Sequence, residues 1–481
     1  MKKWLPLIIT GLFWIQNSYA QNHIDVLRYS QTEITGTPRF SGMAGAFTAL
    51  GGDFSSLNLN PAGTGVYRSD EFSASLSIFN NNNETTYLNN TNDEGILNLN
   101  FSNLGLVKTV YTDNPDWNRV NFAFGVNRKQ NFHNEYRLSG TNNNSSFTSS
   151  YVNSAQGLSI DQLDNTAFSA FQTYVIDTTS AGNYISSINT PGQNQSLSVT
   201  ESGSNNEFFI SLGTGYKEKL FLGVTFGFSS IYYKRTADYI ESEIQNDTDV
   251  TIEGSETQLD RYRQRQTTVV VGAGFNMKVG VIYRPVKWLR LGSSYHSPNY
   301  YRLEEDYSIE FSSVFRDGQR FNYYLPGFFD YSINSPMRFN NGVAILFGKK
   351  GLLSVDYEIV DYSQGELKTD VFYQSIEDSN DLIKDIYQST GNLRIGTEWR
   401  LNAYSLRAGY AKFGNAFAND LNDNSQTSYT FGAGYRHNQI SMDVAFIHSE
   451  SNEDLYIYEG AESSVNSHIT NNFIMGVTYR F

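Results

Sequence analysis

The chain contains no cysteine among its 481 residues. That excludes a disulfide scaffold, a thiol nucleophile and thiolate metal ligation. Charge is scarce: Asp, Glu, Lys and Arg make up 17%, against roughly 25% in an ordinary soluble protein. No run of about 18 apolar residues follows residue 20, so no transmembrane helix is expected. The six histidines are scattered at 23, 133, 296, 437, 448 and 468. No His-Glu-x-x-His or Gly-x-Ser-x-Gly motif accompanies them, and no pair is spaced to ligate iron. No metal, cofactor or catalytic residue is therefore expected, and the chain is not expected to be an enzyme. The formal net charge of −14 argues against a nucleic-acid partner.

What is present begins with export. Lys2 and Lys3 precede an apolar stretch from Trp4 to Ile15, and Ser18-Tyr19-Ala20 has the small-x-small form of a cleavage site. Residues 1–20 are predicted to be a signal peptide. Aromatic residues reach 15%, with 33 Tyr and 33 Phe.

The dominant periodicity is two. Val120, Phe122, Phe124 and Val126 alternate with small or polar residues. So do Leu220 to Phe228, Leu393 to Leu401 and Tyr429 to Tyr435. One face is apolar and the other small or charged. Fourteen strands are predicted, at about 71–79, 97–111, 119–138, 206–216, 220–238, 266–283, 287–300, 336–348, 351–363, 391–401, 403–413, 427–436, 439–449 and 469–481. Short turns alternate with long polar connections such as 80–90 and 139–205. An even strand number with short turns at one end and long loops at the other predicts an all-β fold, a transmembrane antiparallel β-barrel. The barrel must close, because an open edge in lipid leaves backbone groups unpaired. The last strand alternates Phe473, Met475, Val477, Tyr479 and Phe481. It is similar to the segment by which the barrel-assembly machinery recognises its clients; otherwise it is an edge strand that happens to end on Phe.

Residues 21–70 precede the first strand and are rich in glycine and alanine. Fourteen strands enclose a lumen too wide for the wall side chains to fill, so these residues are predicted to form an N-terminal hatch inside a barrel of residues 71–481. The sequence here resembles the FadL-type family of outer-membrane transporters for hydrophobic compounds. The resemblance rests on "MAGAFTALGGDFSSLNLNPAG" (43–63), "WLRLGSSYHSP" (288–298), "SPMRFNNGVAILF" (335–347), "LSVDYEIVDYS" (353–363) and the terminal strand. It implies capture of a fatty-acid-like or aromatic hydrophobic molecule at the extracellular mouth, hatch movement and lateral exit into outer-membrane lipid. Asn60, Pro61, Ala62 and Gly63 are its most specific element, although Asn-Pro by itself favours a plain turn. A barrel of this size can stand alone, so a monomer is expected. A general diffusion porin and a rim hydrolase built on His448, Glu450, Glu453 and Asp454 are the rival readings.

The enlarged loops 139–205 and 364–390 are predicted to be partly helical. Ser159 and Gln162 form a capping box for a helix over 159–175. Its apolar face carries Leu163, Phe168 and Phe171, which either cap the barrel or line a groove for an apolar tail. Lys278, Arg290, Arg394 and Arg407 point inward by alternation. They either receive a carboxylate headgroup or pair with Asp356, Glu358, Glu398 and Asp443, with Glu358 expected across from Arg394 and Glu398 near Arg407.

In the third strand the apolar outward face stops at Val126, short of the nine to eleven residues a tilted span needs. Either the strand leaves the membrane low, or a bulge or kink between Gly125 and Phe132 turns Arg128 away and forms part of a lateral opening.

Overall fold

A computed structural model describes residues 23–189, 192–245, 249–252, 254–369, 374–418, 422–458 and 461–481. The predicted signal segment lies outside them. Seventeen long strands follow two short N-terminal helices, α1 (His23–Ser30) and α2 (Pro38–Ser41). They are β1 (Glu71–Tyr87), β2 (Asn90–Tyr111), β3 (Arg119–Asn131), β4 (Asn134–Asn142), β5 (Gln193–Tyr216), β6 (Leu220–Ser242), β7 (Leu259–Val286), β8 (Leu289–His296), β9 (Tyr300–Phe315), β10 (Arg320–Asn334), β11 (Arg338–Phe347), β12 (Gly351–Asp361), β13 (Ser389–Leu401), β14 (Tyr404–Phe413), β15 (Gln426–His437), β16 (Ile440–Tyr456) and β17 (Ser463–Arg480).

Fourteen of them form a closed antiparallel ring. β4 extends the edge of β5 where β3 stops, and the β9–β10 hairpin pairs with the outer half of β7. Closure is by β17 on β1, register Glu71↔Arg480 to Thr86↔Val465. The periplasmic turns are tight, and several use residues with left-handed backbone, among them Lys217, Glu218, Asn402 and Asn438. Outward side chains such as Phe124, Ile210, Val279, Val343, Phe431 and Met475 are exposed and make the lipid-facing belt. Paired aromatics edge it near the turns: Phe347 stacks on Trp399 at 5.6 Å and Tyr479 on Phe481 at 5.4 Å. That is the girdle of a membrane barrel. No helix among the described residues is long and apolar enough to cross a membrane. A closed barrel with such a belt is a multi-pass outer-membrane protein.

Outside the membrane the fold differs from expectation. The polar run 80–90 is not a loop. β1 continues to Tyr87, turns through Leu88 and Asn89 (φ 48° and 62°) and returns as β2. Its inward amides replace an apolar face: Asn81 and Asn83 donate to the carbonyls of His133 and Glu135, at 3.0 and 2.7 Å. Likewise 301–334 is mostly the β9–β10 hairpin, and β5 starts at Gln193 rather than near 206.

The loop helices α3 (Thr148–Ala155) and α4 (Asn165–Gln172) pack in an extracellular cap. At its centre Glu241 accepts from Ser146 Oγ (2.6 Å), Gln195 Nε2 (2.7 Å) and Tyr239 OH (2.6 Å). The capping box of Ser159 and Gln162 exists, but on a single turn of 3-10 helix. The longer helix predicted from Ser159 is thus broken: α4 starts five residues later, where Asp164 accepts from the amides of Thr166 and Ala167 at 2.8 Å. The stronger double acceptor sets the start. The helix α5 (Gln374–Ile386) lies in the 364–390 loop and buries Ile376 and Ile383 beside α1.

Candidate functional site

Residues 23–70 lie in the lumen and are almost wholly buried. Their small residues and the inward glycines of the wall are two halves of one interface. A Cβ on Gly223 would stand 2.1 Å from Pro61 O, one on Gly292 2.2 Å from Thr48 O, and one on Gly396 2.4 Å from Met43 O. The hatch backbone rests directly on the strands, which only glycine permits. Asn60 is a pin: its Oδ1 accepts from Ala62 N at 3.0 Å, and its Nδ2 donates to Thr48 O at 2.7 Å and Val281 O of β7 at 3.2 Å. Pro61 opens the 3-10 turn Pro61–Val66, Ala62 is fully buried, and Gly63 packs against Gly51. Thr64 Oγ1 meets Ser211 Oγ at 2.7 Å, and Asn121 Nδ2 donates to Thr64 O at 2.7 Å.

All four cations predicted to point inward are committed. Lys278 bonds Asn58 Oδ1 of the hatch and Glu207. Arg290 donates to Leu50 O at 2.6 Å. Arg394 pairs with Glu358 at 3.3 Å, diagonally, since Asn392 stands opposite Glu358 and Arg394 opposite Asp356. Arg407 lies opposite Glu398, pairs with it at 2.8 Å and with Asp443 at 2.6 Å. Glu398 also takes Arg39 of the hatch at 2.8 Å. That hatch arginine carried no signal in the sequence beyond its charge.

At β3 the wall changes. Its ladder with β2 ends at Asn127↔Asn103, and its ladder with β5 slips between Arg128 and Gln130. Gly125 has φ +157°, and β3 stops at Asn131, just before Phe132. The bulge turns Arg128 sideways, onto Asn100 Oδ1 and over the Phe101 ring at 5.5 Å. The hatch segment 31–37 supplies the missing hydrogen bonds. Thr35 Oγ1 donates to Arg128 O, the Glu33 carboxylate accepts from Asn131 N at 3.1 Å, and Gly36 N donates to Ser102 Oγ at 2.9 Å. Burial pushes the Glu33 carboxyl up to about 7, against the pull of the Asn131 amide and Arg128. On the lipid side lies an apolar groove of about 1020 Å³, lined in part by Leu76, Phe101, Leu104, Val126 and Met475.

At the start of the hatch, α1 stands among aromatic residues. Tyr331 OH donates to Asp25 at 3.2 Å and Arg28 lies 4.5 Å from the Tyr233 ring centre. In the cap, Phe171 and Leu163 pack on the buried cluster, while Phe168 is half-buried and meets Tyr323 edge-on at 5.6 Å. At the rim His448 is bonded to Glu450 (2.9 Å) and Asn471 (2.8 Å), whereas Glu453 is bonded to Asn466 (3.0 Å). These contacts assemble no nucleophile with a base.

No family model and no curated protein matches the chain. Solved structures do. A Pseudomonas aeruginosa FadL homologue aligns with TM-score 0.54 at 13% identity, over 94% of this chain and 99% of that one. The Pseudomonas putida toluene transporter TodX aligns with TM-score 0.53 at 14% identity, over 93% and 99%. The Ralstonia pickettii toluene transporter TbuX aligns with TM-score 0.50 at 16% identity, over 93% and 99%. At these identities the likeness is one of fold: the chain has the plugged barrel architecture of FadL-type transporters.

Proposed function

We propose that the protein carries hydrophobic or amphiphilic small molecules across the outer membrane. The molecule is taken up at the extracellular cap, passes α1, and leaves sideways between β2 and β3 into lipid. The observation that carries this reading is the interrupted ladder at β3, closed on its inner side by hatch residues 31–37 and bordered outside by an apolar groove. Unpaired strand groups at membrane depth are tolerated only against protein or a water-filled opening. Here they face a segment that can withdraw, because it is held by side-chain hydrogen bonds rather than by a ladder. The likeness to solved transporters of toluene supports the substrate class. A diffusion porin needs an open lumen, and residues 23–70 occupy it.

The absence of cysteine makes the test clean. Thr35→Cys with Ser102→Cys, joined by a short bismaleimide, ties the segment to β2. Uptake of a radiolabelled long-chain fatty acid or toluene by cells or liposomes should then fall to background, while either single variant transports normally. Full uptake in the cross-linked protein would remove the lateral route.

A further inference from the structure

Beside the end of β3, between α1 and the wall, lies a second chamber of about 220 Å³. Its floor includes Phe79, Ile34 and Ile447, but much of its lining is amide and imidazole. Its charged groups are already satisfied. Arg28 is paired with Asp25. Glu33 holds the Asn131 amide at 3.1 Å. Glu201 accepts from Asn134 Nδ2 at 3.0 Å and Tyr233 OH at 2.5 Å. Three neutral atoms in the lining are not. Asn81 Oδ1, Asn131 Nδ2 and His468 Nε2 are buried and have no hydrogen-bond partner. Asn81 and Asn131 are 3% and 8% exposed, so their amide ends are fixed by their other bonds: Asn81 Nδ2 to His133 O, and Asn131 Oδ1 from His133 N at 3.2 Å. His468 lies on the extracellular continuation of β17, where burial lowers its imidazole to about 4 and keeps it neutral.

A buried polar atom without a partner has given up its hydration for nothing, and three around one cavity mark what belongs there. The partner must donate to Asn81, accept from Asn131 and do either for His468. A hydroxyl does both. A carboxylate cannot donate, and it would meet Glu33 and Glu201 with no unpaired cation in the lining. A bare hydrocarbon leaves all three atoms unmet. We infer that this chamber binds the neutral, hydroxyl-bearing head of an amphiphile, its apolar tail lying toward the break in the wall. The space equals about seven waters at roughly 30 Å³ each, enough for a glycerol-sized group. This rests on the transport reading and names the class of substrate within it.

The test uses the whole barrel in nanodiscs at pH 8, titrated calorimetrically with 1-monolauroylglycerol, with laurate and with decane. Monolauroylglycerol should bind about tenfold tighter than laurate, the worth of one or two hydrogen bonds. His468→Phe should remove most of that advantage while leaving laurate affinity unchanged. Asn131→Asp, which keeps the acceptor used by His133 and loses the free donor, should do the same; heat-modifiable mobility checks that each barrel is folded. Laurate binding as tightly as the monoglyceride, or a monoglyceride affinity indifferent to both variants, overturns the assignment and leaves ordered water as the occupant. Failure of all three probes to bind overturns the transport reading as well.

Discussion

The hatch meets the barrel in two different ways. Against β5 to β8 and β13 to β15 its backbone sits on wall glycines, with Asn60 pinned to Val281 O and Arg39 paired to Glu398. Around the gap beyond Asn127 of β3 it offers Glu33, Thr35 and Gly36, each through a hydrogen bond in which one partner is a side chain, while nearer the turns Asn121 of β3 holds Thr64 O and Phe54 packs on Gly105 of β2. The first contact is steric and ionic, buried and distributed. The second is local, and it replaces strand pairing the wall itself lacks. A plug bolted on most of its circumference and latched at one gap opens at the latch, not as a body.

The largest effect should come from breaking the bolted side. In Gly223→Val the new side chain meets the Pro61 carbonyl, a backbone atom that cannot turn away. Overpacking of this kind costs about 1–3 kcal/mol or more. The hatch should leave its seat, and a barrel closed in planar bilayers should conduct steadily. Folded Gly223→Val protein that stays closed would mean the hatch has slack against the wall. Asn60→Ala, which loses three hydrogen bonds, should open it less often, by about 1–3 kcal/mol of docking.

A smaller effect belongs to the latch. The Glu33 carboxyl is raised to about 7 when docked, above its free value near 4.3. Docking therefore retains a proton. Its contribution is fully present below the free value and is lost as pH rises through about 7. Brief openings and uptake should increase between pH 5 and pH 8. Glu33→Gln, a permanent stand-in for the protonated group, should hold the low-pH level throughout. An unchanged pH profile in Glu33→Gln would assign the dependence to another group.

What could be read from the sequence divides along the same lines. Strands inside the lipid were legible because the belt forces apolar residues to every second position, as at Phe122 and Phe124. The β1–β2 extension was hidden because nothing outside the membrane demands alternation, and four consecutive asparagines argue against a strand. It forms because Asn81, Asn83 and Thr85 serve β4 from one face. Small residues opposite the apolar positions, such as Gly223 and Gly432, were visible in the alternation, but that the hatch backbone rests on them depends on how residues 42–66 fold. The alternation at β3 failed at Arg128, and the bulge stands there; the segment 31–37 that covers it had no marker, since Glu33 and Thr35 act only through main-chain partners far along the chain.

Smaller again are the effects in the cap. Phe171 packs against the buried cluster, so Phe171→Ala should loosen the cap, seen as faster proteolysis of residues 139–192, without altering the barrel. Phe168 is half-buried, outside that cluster, and meets Tyr323 edge-on. Phe168→Ala should leave the cap intact and weaken binding of a fluorescent long-chain amphiphile about two- to tenfold, the worth of one aromatic contact. Equal affinity in both variants and the parent chain would leave α4 as a lid with no part in capture.

The smallest effect expected is none, and it bears hardest on the comparison. Thr64 Oγ1 and Ser211 Oγ stand 2.7 Å apart across the bolted side. Cysteines at both places bring two sulfurs close to the bonding distance of about 2.05 Å with little backbone movement, in a chain with no other thiol. If only residues 31–37 swing, oxidised Thr64→Cys/Ser211→Cys protein should transport within about twofold of the parent chain, since a difference that small is under half a kcal/mol. The same oxidised protein should resist the opening that Gly223→Val causes. If oxidation instead stops uptake and reduction restores it, the hatch moves as one body, and the difference between its two sides concerns strength of attachment only.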